Sequence, residues 1–160
     1  MNTKLLNFLS LFTVLFISCV VVQESDSIEL TLIYSDGSTK KVIKTKEELE
    51  KSKNISFGPD EKLVNIKGLE TISSKFGIIA NKTGIKLNNF NKILNLTYLR
   101  LNNCNIEEIN EIDMPNIEYL DLSNDSIKKI NGPLNMPKLK ELILSNNELT
   151  DIKCNSQDVI

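Results

Sequence analysis

The sequence predicts an α/β solenoid: short parallel strands on a concave face, irregular or 3-10 turns on the convex return, and a small β-hairpin/helix cap at the N-terminal end. Three observations predict it. Leu63, Ile85, Ile106, Ile127 and Leu149 recur at intervals of 21 or 22 residues, and three residues further on stand Ile66, Asn88, Ile109, Ile130 and Ile152, with Asn88 the one polar member. Seven residues ahead of the first column, Ile78, Leu99, Leu120 and Leu142 keep the same phase. Upstream of the repeats, two β-rich runs flank an Asp-Gly turn and lead into a helix-start signal. A fixed period means that each turn of chain is one unit that buries its apolar side only against its neighbours.

The chain opens with a targeting signal. Lys4 and the free amino terminus precede an apolar run from Leu5 to Val22, and acids begin only at Glu24, which is the layout of a secretory signal. Phe16-Ile17-Ser18-Cys19 looks like a relaxed bacterial lipoprotein box, with Phe16 departing from the preferred leucine. On that reading residues 1–18 are removed, Cys19 carries a lipid that ties the protein to a bacterial membrane, and residues 19–27 form a tether. Two alternatives stay open: a secreted protein cut after Cys19 or slightly later, and an uncleaved anchor, whose 18 residues from Leu5 to Val22 stand near the lower limit for a span. Loss of residues 1–18 removes Lys4 and leaves 18 basic and 21 acidic side chains, net −3.

Residues 28–56 read as the cap. Ile28–Tyr34 and Lys40–Lys44 are strand-like runs around Ser35-Asp36-Gly37-Ser38-Thr39, a hairpin with a loop of five residues. Thr45 followed three residues later by Glu48 is a capping box that opens a short helix from Lys46 to about Ser52. A hairpin and one short helix bury little alone, so they are expected to cover the open end of something longer.

The repeats, residues 57–152, are clearest over 94–152. Leu96-Thr97-Tyr98-Leu99-Arg100-Leu101-Asn102-Asn103-Cys104-Asn105-Ile106 is followed by Ile117–Ile127 and Leu139–Leu149 in the same pattern, L-x-x-L-x-L-x-x-N/C-x-L. The x-L-x-L-x centre is a short strand whose alternate leucines point inward. Cys104, Asp125 and Asn147 share the position where the chain leaves the strand, and a small polar group there bonds backbone that no strand partner reaches. They form a structural ladder, with Cys104 no nucleophile and Asp125 no catalytic acid. Met114-Pro115 and Met136-Pro137 recur on the return path, where proline stops a long helix. Around residues 76–85 two registers compete, Phe76-x-Ile78 and Ile78-x-Ala80, two residues apart.

Over residues 57–152 the chain resembles leucine-rich repeat proteins of the 21–22-residue class, internalin-like and phosphatase-regulator-like. In that family a right-handed solenoid binds protein partners on its concave sheet. The resemblance therefore implies an extracellular or surface-anchored protein-protein interaction module, with a structural or self-associating surface protein as the alternative.

The outward strand positions form the candidate protein-binding columns: Tyr98, Tyr119 and Glu141; Arg100, Asp121 and Ile143; Asn102, Ser123 and Ser145. Two tyrosines beside the sole arginine are of the kind that anchors interfaces. The plainer reading is cross-strand packing of the tyrosines and pairing of Arg100 with Asp121. Ile143 is an apolar residue on a face that should meet water. At the other end the solenoid stops at residues 153–160 without an evident polar-faced cap. The tail could fold over that end, the end could meet a second copy with Cys154, Val159 and Ile160 involved, or the chain could be a shortened member of a longer family.

Composition excludes several other classes. Lys+Arg is 19 against Asp+Glu 21, and 18 of the basic residues are lysine, so neither the positive field nor the arginine forks of a nucleic-acid binder are present. With no histidine there is no His-containing triad and no His-ligated metal, and Cys19, Cys104 and Cys154 are too scattered for a disulfide scaffold or a Cys₄ zinc site. No enzyme, cofactor or metal is expected. Sequons at Asn54, Asn81, Asn95 and Asn124 carry no weight, because 20 asparagines and 23 Ser plus Thr give about three by chance. Lys128, Lys129, Lys138 and Lys140 suggest a basic patch that Glu118, Asp121 and Glu141 dilute.

Overall fold

The computed structural model describes residues 27–153. The signal segment, Cys19, and Cys154, Val159 and Ile160 lie outside the described residues. The hairpin pairs β1 (Ser27–Tyr34) with β2 (Thr39–Thr45), antiparallel. Helix α1 (Lys46–Ser52) begins at Thr45, whose side chain accepts from the Glu48 amide at 3.1 Å while the Glu48 carboxylate accepts from the Thr45 amide at 2.9 Å.

From Asn54 the chain winds in parallel turns. Strands β3 (Asn54–Phe57), β5 (Phe76–Asn81), β6 (Leu96–Asn102), β9 (Tyr119–Asp121) and β12 (Glu141–Ile143) make one parallel sheet in the order β12-β9-β6-β5-β3. The first strand thus begins at Asn54, ahead of the residue-57 boundary that the repeat pattern suggested. Ile55, Ile78, Leu99, Leu120 and Leu142 stand opposite one another across this sheet. The pairing of Ile78 with Leu99 and of Ala80 with Leu101 settles the ambiguous turn in the Ile78-x-Ala80 register. Alternation does the rest: Leu99 and Leu101 are fully buried while Tyr98, Arg100 and Asn102 face outward.

The return path carries more order than turns alone. In the clear repeats it forms two further parallel ladders, β7 (Glu108–Ile109), β10 (Lys129–Asn131) and β13 (Asp151–Lys153) in one, β8 (Ile112–Asp113) and β11 (Leu134–Asn135) in the other. Ile109, Ile130 and Ile152 align there, which is why that second apolar column exists. Its exception, Asn88, lies in a 3-10 turn (Leu87–Phe90) that buries Leu87 and Phe90 instead; a second 3-10 turn covers Leu69–Thr71. In the first turn the same column is occupied by β4 (Leu63–Lys67), which pairs antiparallel with β1 through Leu32 and Ile66. The hairpin therefore caps the solenoid by bonding to its return strand, not to the concave edge.

The core runs the length of the solenoid as stacked apolar layers, from Leu30 and Leu49 under the cap to Ile127 and Ile130. It thins at the last turn, where Leu142 and Ile152 are 40% and 60% exposed. Each interior turn is covered by two neighbours and the last described turn by one.

Candidate functional site

Three of the 20 asparagines share a backbone cause. Asn103, Asn124 and Asn146, preceded by Lys82, have φ of 56°, 59°, 57° and 52°. Each stands immediately before the ladder position, where the strand ends in a left-handed residue, and asparagine tolerates that conformation better than other side chains. This column was not singled out in the sequence, although its 21–22-residue spacing was visible. The ladder itself forms as side-chain to backbone bonding. Asp125 Oδ1 accepts from the amides of Cys104 at 2.7 Å and Ile106 at 3.2 Å. Asn147 Oδ1 accepts from the Ile127 amide at 2.9 Å, and its Nδ2 donates to the carbonyls of Leu122 and Leu144 at 2.8 and 3.0 Å. Thr83, which the sequence reading missed, is the earlier rung: its buried hydroxyl lies 3.4 Å from Cys104 Sγ. It falls 21 residues before Cys104 once the register at Ile78 is known. Burial pushes the Cys104 thiol up, against the lowering effect of Thr83, which leaves a poorly nucleophilic sulfur.

On the concave face, register brings the expected columns together. Tyr98 stands opposite Tyr119 and Tyr119 opposite Glu141; Arg100, Asp121 and Ile143 follow in the next column. The two tyrosine rings stack at 4.5 Å with 3° between planes. That is close to the spacing of adjacent strands, so the sheet itself sets the stack. Arg100 lies 5.9 Å from the Tyr98 ring centre, donates from Nε to Asp121 Oδ2 at 2.9 Å and from Nη2 to the Tyr119 hydroxyl at 3.3 Å. Asn102 Nδ2 donates to Asp121 Oδ1 at 3.2 Å and to Ser123 Oγ at 2.8 Å.

This network sorts the candidates. Asp121 and Ser123 are buried beneath their partners, so neither is offered to a partner directly. Burial pushes the Asp121 carboxyl up, but hydrogen bonds from Ser123, Asn102 and Arg100 outweigh it and hold the group below the usual carboxylate range. It works as the fixed counter-charge that orients Arg100. Tyr98, Arg100 and Tyr119 remain half-exposed, Ile143 is half-buried, and Glu141 and Ser145 are exposed at the sheet's edge. Desolvation raises the Tyr98 phenol, partly offset by Arg100, so this ring presents a neutral hydroxyl at neutral pH.

The lysines of the suspected basic patch are individually tied. Lys140 pairs with Glu118 at 2.6 Å, Lys128 with Glu148 at 3.7 Å, and Lys138 donates to Asn116 at 2.5 Å. Beside Tyr98, an open cleft of about 530 Å³ lies between α1 and the sheet, lined by Leu49, Lys53, Asn54, Lys75, Gly77 and Tyr98 among others. Among the described residues no group of three or more Cys, Asp or Glu is placed to hold a metal, and no helix is long and apolar enough to cross a membrane.

These features define a repeat solenoid of parallel turns with a polar ladder at each strand exit and an aromatic surface on its sheet. Residues 94–135 match the family model described as Leucine Rich repeats (2 copies). No curated protein and no solved structure matches the chain.

Proposed function

We propose that this chain is an extracellular or surface-anchored interaction module that binds a protein partner on the concave sheet of its repeats. The observation that carries the reading is the Tyr98–Tyr119 stack with Arg100 braced against it by Asp121. Two rings whose rotamers are already fixed lose little freedom on binding, and a guanidinium held by a buried carboxylate presents its remaining donors in one orientation. Rigid aromatic and arginine groups at the centre of a surface are where interface energy concentrates. Recognition would proceed by shape, aromatic contact and polar complementarity, with Glu141 and Ser145 at the rim. The test is capture of a partner from the surface fraction of the protein's own cells by the chain and by its Tyr98→Ala/Tyr119→Ala variant. Capture should be abolished in the variant at unchanged oligomeric state, and equal capture by both would refute the reading.

The exposure of Leu142 and Ile152 at the last described turn favours a second reading, self-association through that end. Under it, Leu142→Ser with Ile152→Ser shifts the sedimentation coefficient while the tyrosine variant behaves as the parent. The localisation rests on the N-terminal signal and on Cys19. Mass spectrometry of the N-terminal peptide decides it: a diacylglyceryl cysteine at Cys19 means membrane anchoring, an unmodified start between Val20 and Gln23 means free secretion, and an intact Met1 removes both.

A further inference from the structure

The outward column that holds the tyrosines runs Asn54, Gly77, Tyr98, Tyr119, Glu141 across five strands in register. Adjacent positions in such a column are about 4.8 Å apart, which is a stacking distance for rings. Tyr119 covers one face of Tyr98. On the other side the sheet offers Gly77, a residue with no side chain, so the second face of Tyr98 meets the cleft beneath α1. The base of that space is held by the Asn54 side chain. A Cβ on Gly77 would stand 3.0 Å from Tyr98 Cβ and would run into Asn54 Oδ1, because the Asn54 amide lies across Gly77.

We infer that this slot takes an aromatic side chain of the partner, which enters as the third ring of the stack, with a neighbouring acidic residue of the partner meeting Lys53. The inference rests on the concave-face reading and names the chemistry of its ligand. Tyr98 supplies one wall and the Asn54 amide the floor, with Leu49 of α1 among the lining residues. Asn54 makes no side-chain hydrogen bond among the described residues, so its amide is available to an occupant. Lys53 and Lys75 stand on the rim with Glu50, and Lys75 is paired with Glu118 at 3.4 Å. Lys53, by contrast, forms no ion pair among the described residues and is the rim's uncompensated cation. An aromatic side chain flanked by carboxylate satisfies both the open ring face and this charge. An aliphatic or basic peptide satisfies one or neither.

The experiment uses the peptide amide Glu-Trp-Glu as probe, with Glu-Leu-Glu and Lys-Trp-Lys as controls. The chain has no tryptophan, so indole fluorescence reports the probe alone. Backbone amide shifts of the isotopically labelled chain locate it. Expected are saturable shifts at Asn54, Gly77 and Thr97 with Glu-Trp-Glu, and binding weakened about tenfold or more by Tyr98→Leu. Lys53→Glu should weaken Glu-Trp-Glu and strengthen Lys-Trp-Lys, an inversion that misfolding does not produce. Equal binding of Glu-Leu-Glu, or binding unchanged by Tyr98→Leu, overturns the slot. Shifts confined to Arg100, Tyr119 and Glu141 overturn the slot but keep the concave surface as an interface. Silence of the whole sheet, with partner capture untouched by the double tyrosine variant, overturns both.

Discussion

Asp125 is the position where one atom's exchange should stabilise the protein. Its Oδ1 accepts two backbone amides, but its buried Oδ2 has no hydrogen-bond partner. At the equivalent place in the next turn, Asn147 keeps the accepting oxygen and uses its nitrogen to donate to Leu122 and Leu144 carbonyls. Asp125→Asn would place the same donor where Oδ2 now sits, towards the corresponding carbonyls of Leu101 and Leu122. An unsatisfied buried polar atom costs about 1–3 kcal/mol and a new hydrogen bond returns about 1 kcal/mol. The variant should therefore gain about 1–3 kcal/mol at neutral pH, a rise of roughly 1 M in the urea midpoint.

The gain should depend on pH with a defined sign. Burial raises the Asp125 carboxyl above its ordinary 3.8, although the amides of Ile106, Cys104 and Asn105 oppose it. A carboxyl whose native pKa is raised holds its proton in the folded chain after the unfolded chain has lost it. The parent thus loses stability as pH climbs from about 3.8 through the raised native value, and the asparagine variant does not. The difference between variant and parent should be small below pH 3.8 and full at neutral pH. Asp121, whose lowered carboxyl contributes stability that is lost as pH falls, is present in both proteins. Urea unfolding followed by circular dichroism at several pH values measures it. A destabilised variant, or a difference independent of pH, would refute the account of Oδ2 as an unsatisfied acceptor.

Three further outcomes are expected. Arg100→Lys should cost about 1–3 kcal/mol and weaken partner capture, because an ammonium cannot hold Asp121 and the Tyr119 hydroxyl in one plane; a neutral effect in denaturant titration would contradict the bracing role. Leu120→Ala should cost about 2–5 kcal/mol, and Leu142→Ala, in the same column but 40% exposed, under about half as much. Equal losses would mean that the last turn is covered as well as the inner ones. Thr45→Ala should lower stability by about 0.5–2 kcal/mol through loss of the capping box, with amide exchange accelerating first in α1.

The solenoid was legible because a repeat prints its period directly on the sequence: inward leucines at Leu99, Leu120 and Leu142 have no other reason to keep a 21–22-residue phase. The hairpin and the capping box were equally legible, since Asp36-Gly37 and Thr45–Glu48 act over a few bonds of backbone. Tyr98 and Tyr119 could be placed in one column by counting. Their packing as cross-strand neighbours and the Arg100–Asp121 pair were readable from the same count, while the ring geometry and the Arg100 bond to the Tyr119 hydroxyl were not. Only the tertiary structure decided the register at Ile78, the attachment of β1 to β4, the burial of Asp121 and the Asn54 amide lying across Gly77. Each of these depends on which residues of different turns meet. Periodicity states that turns repeat, while contacts between turns state how far each slides against the next.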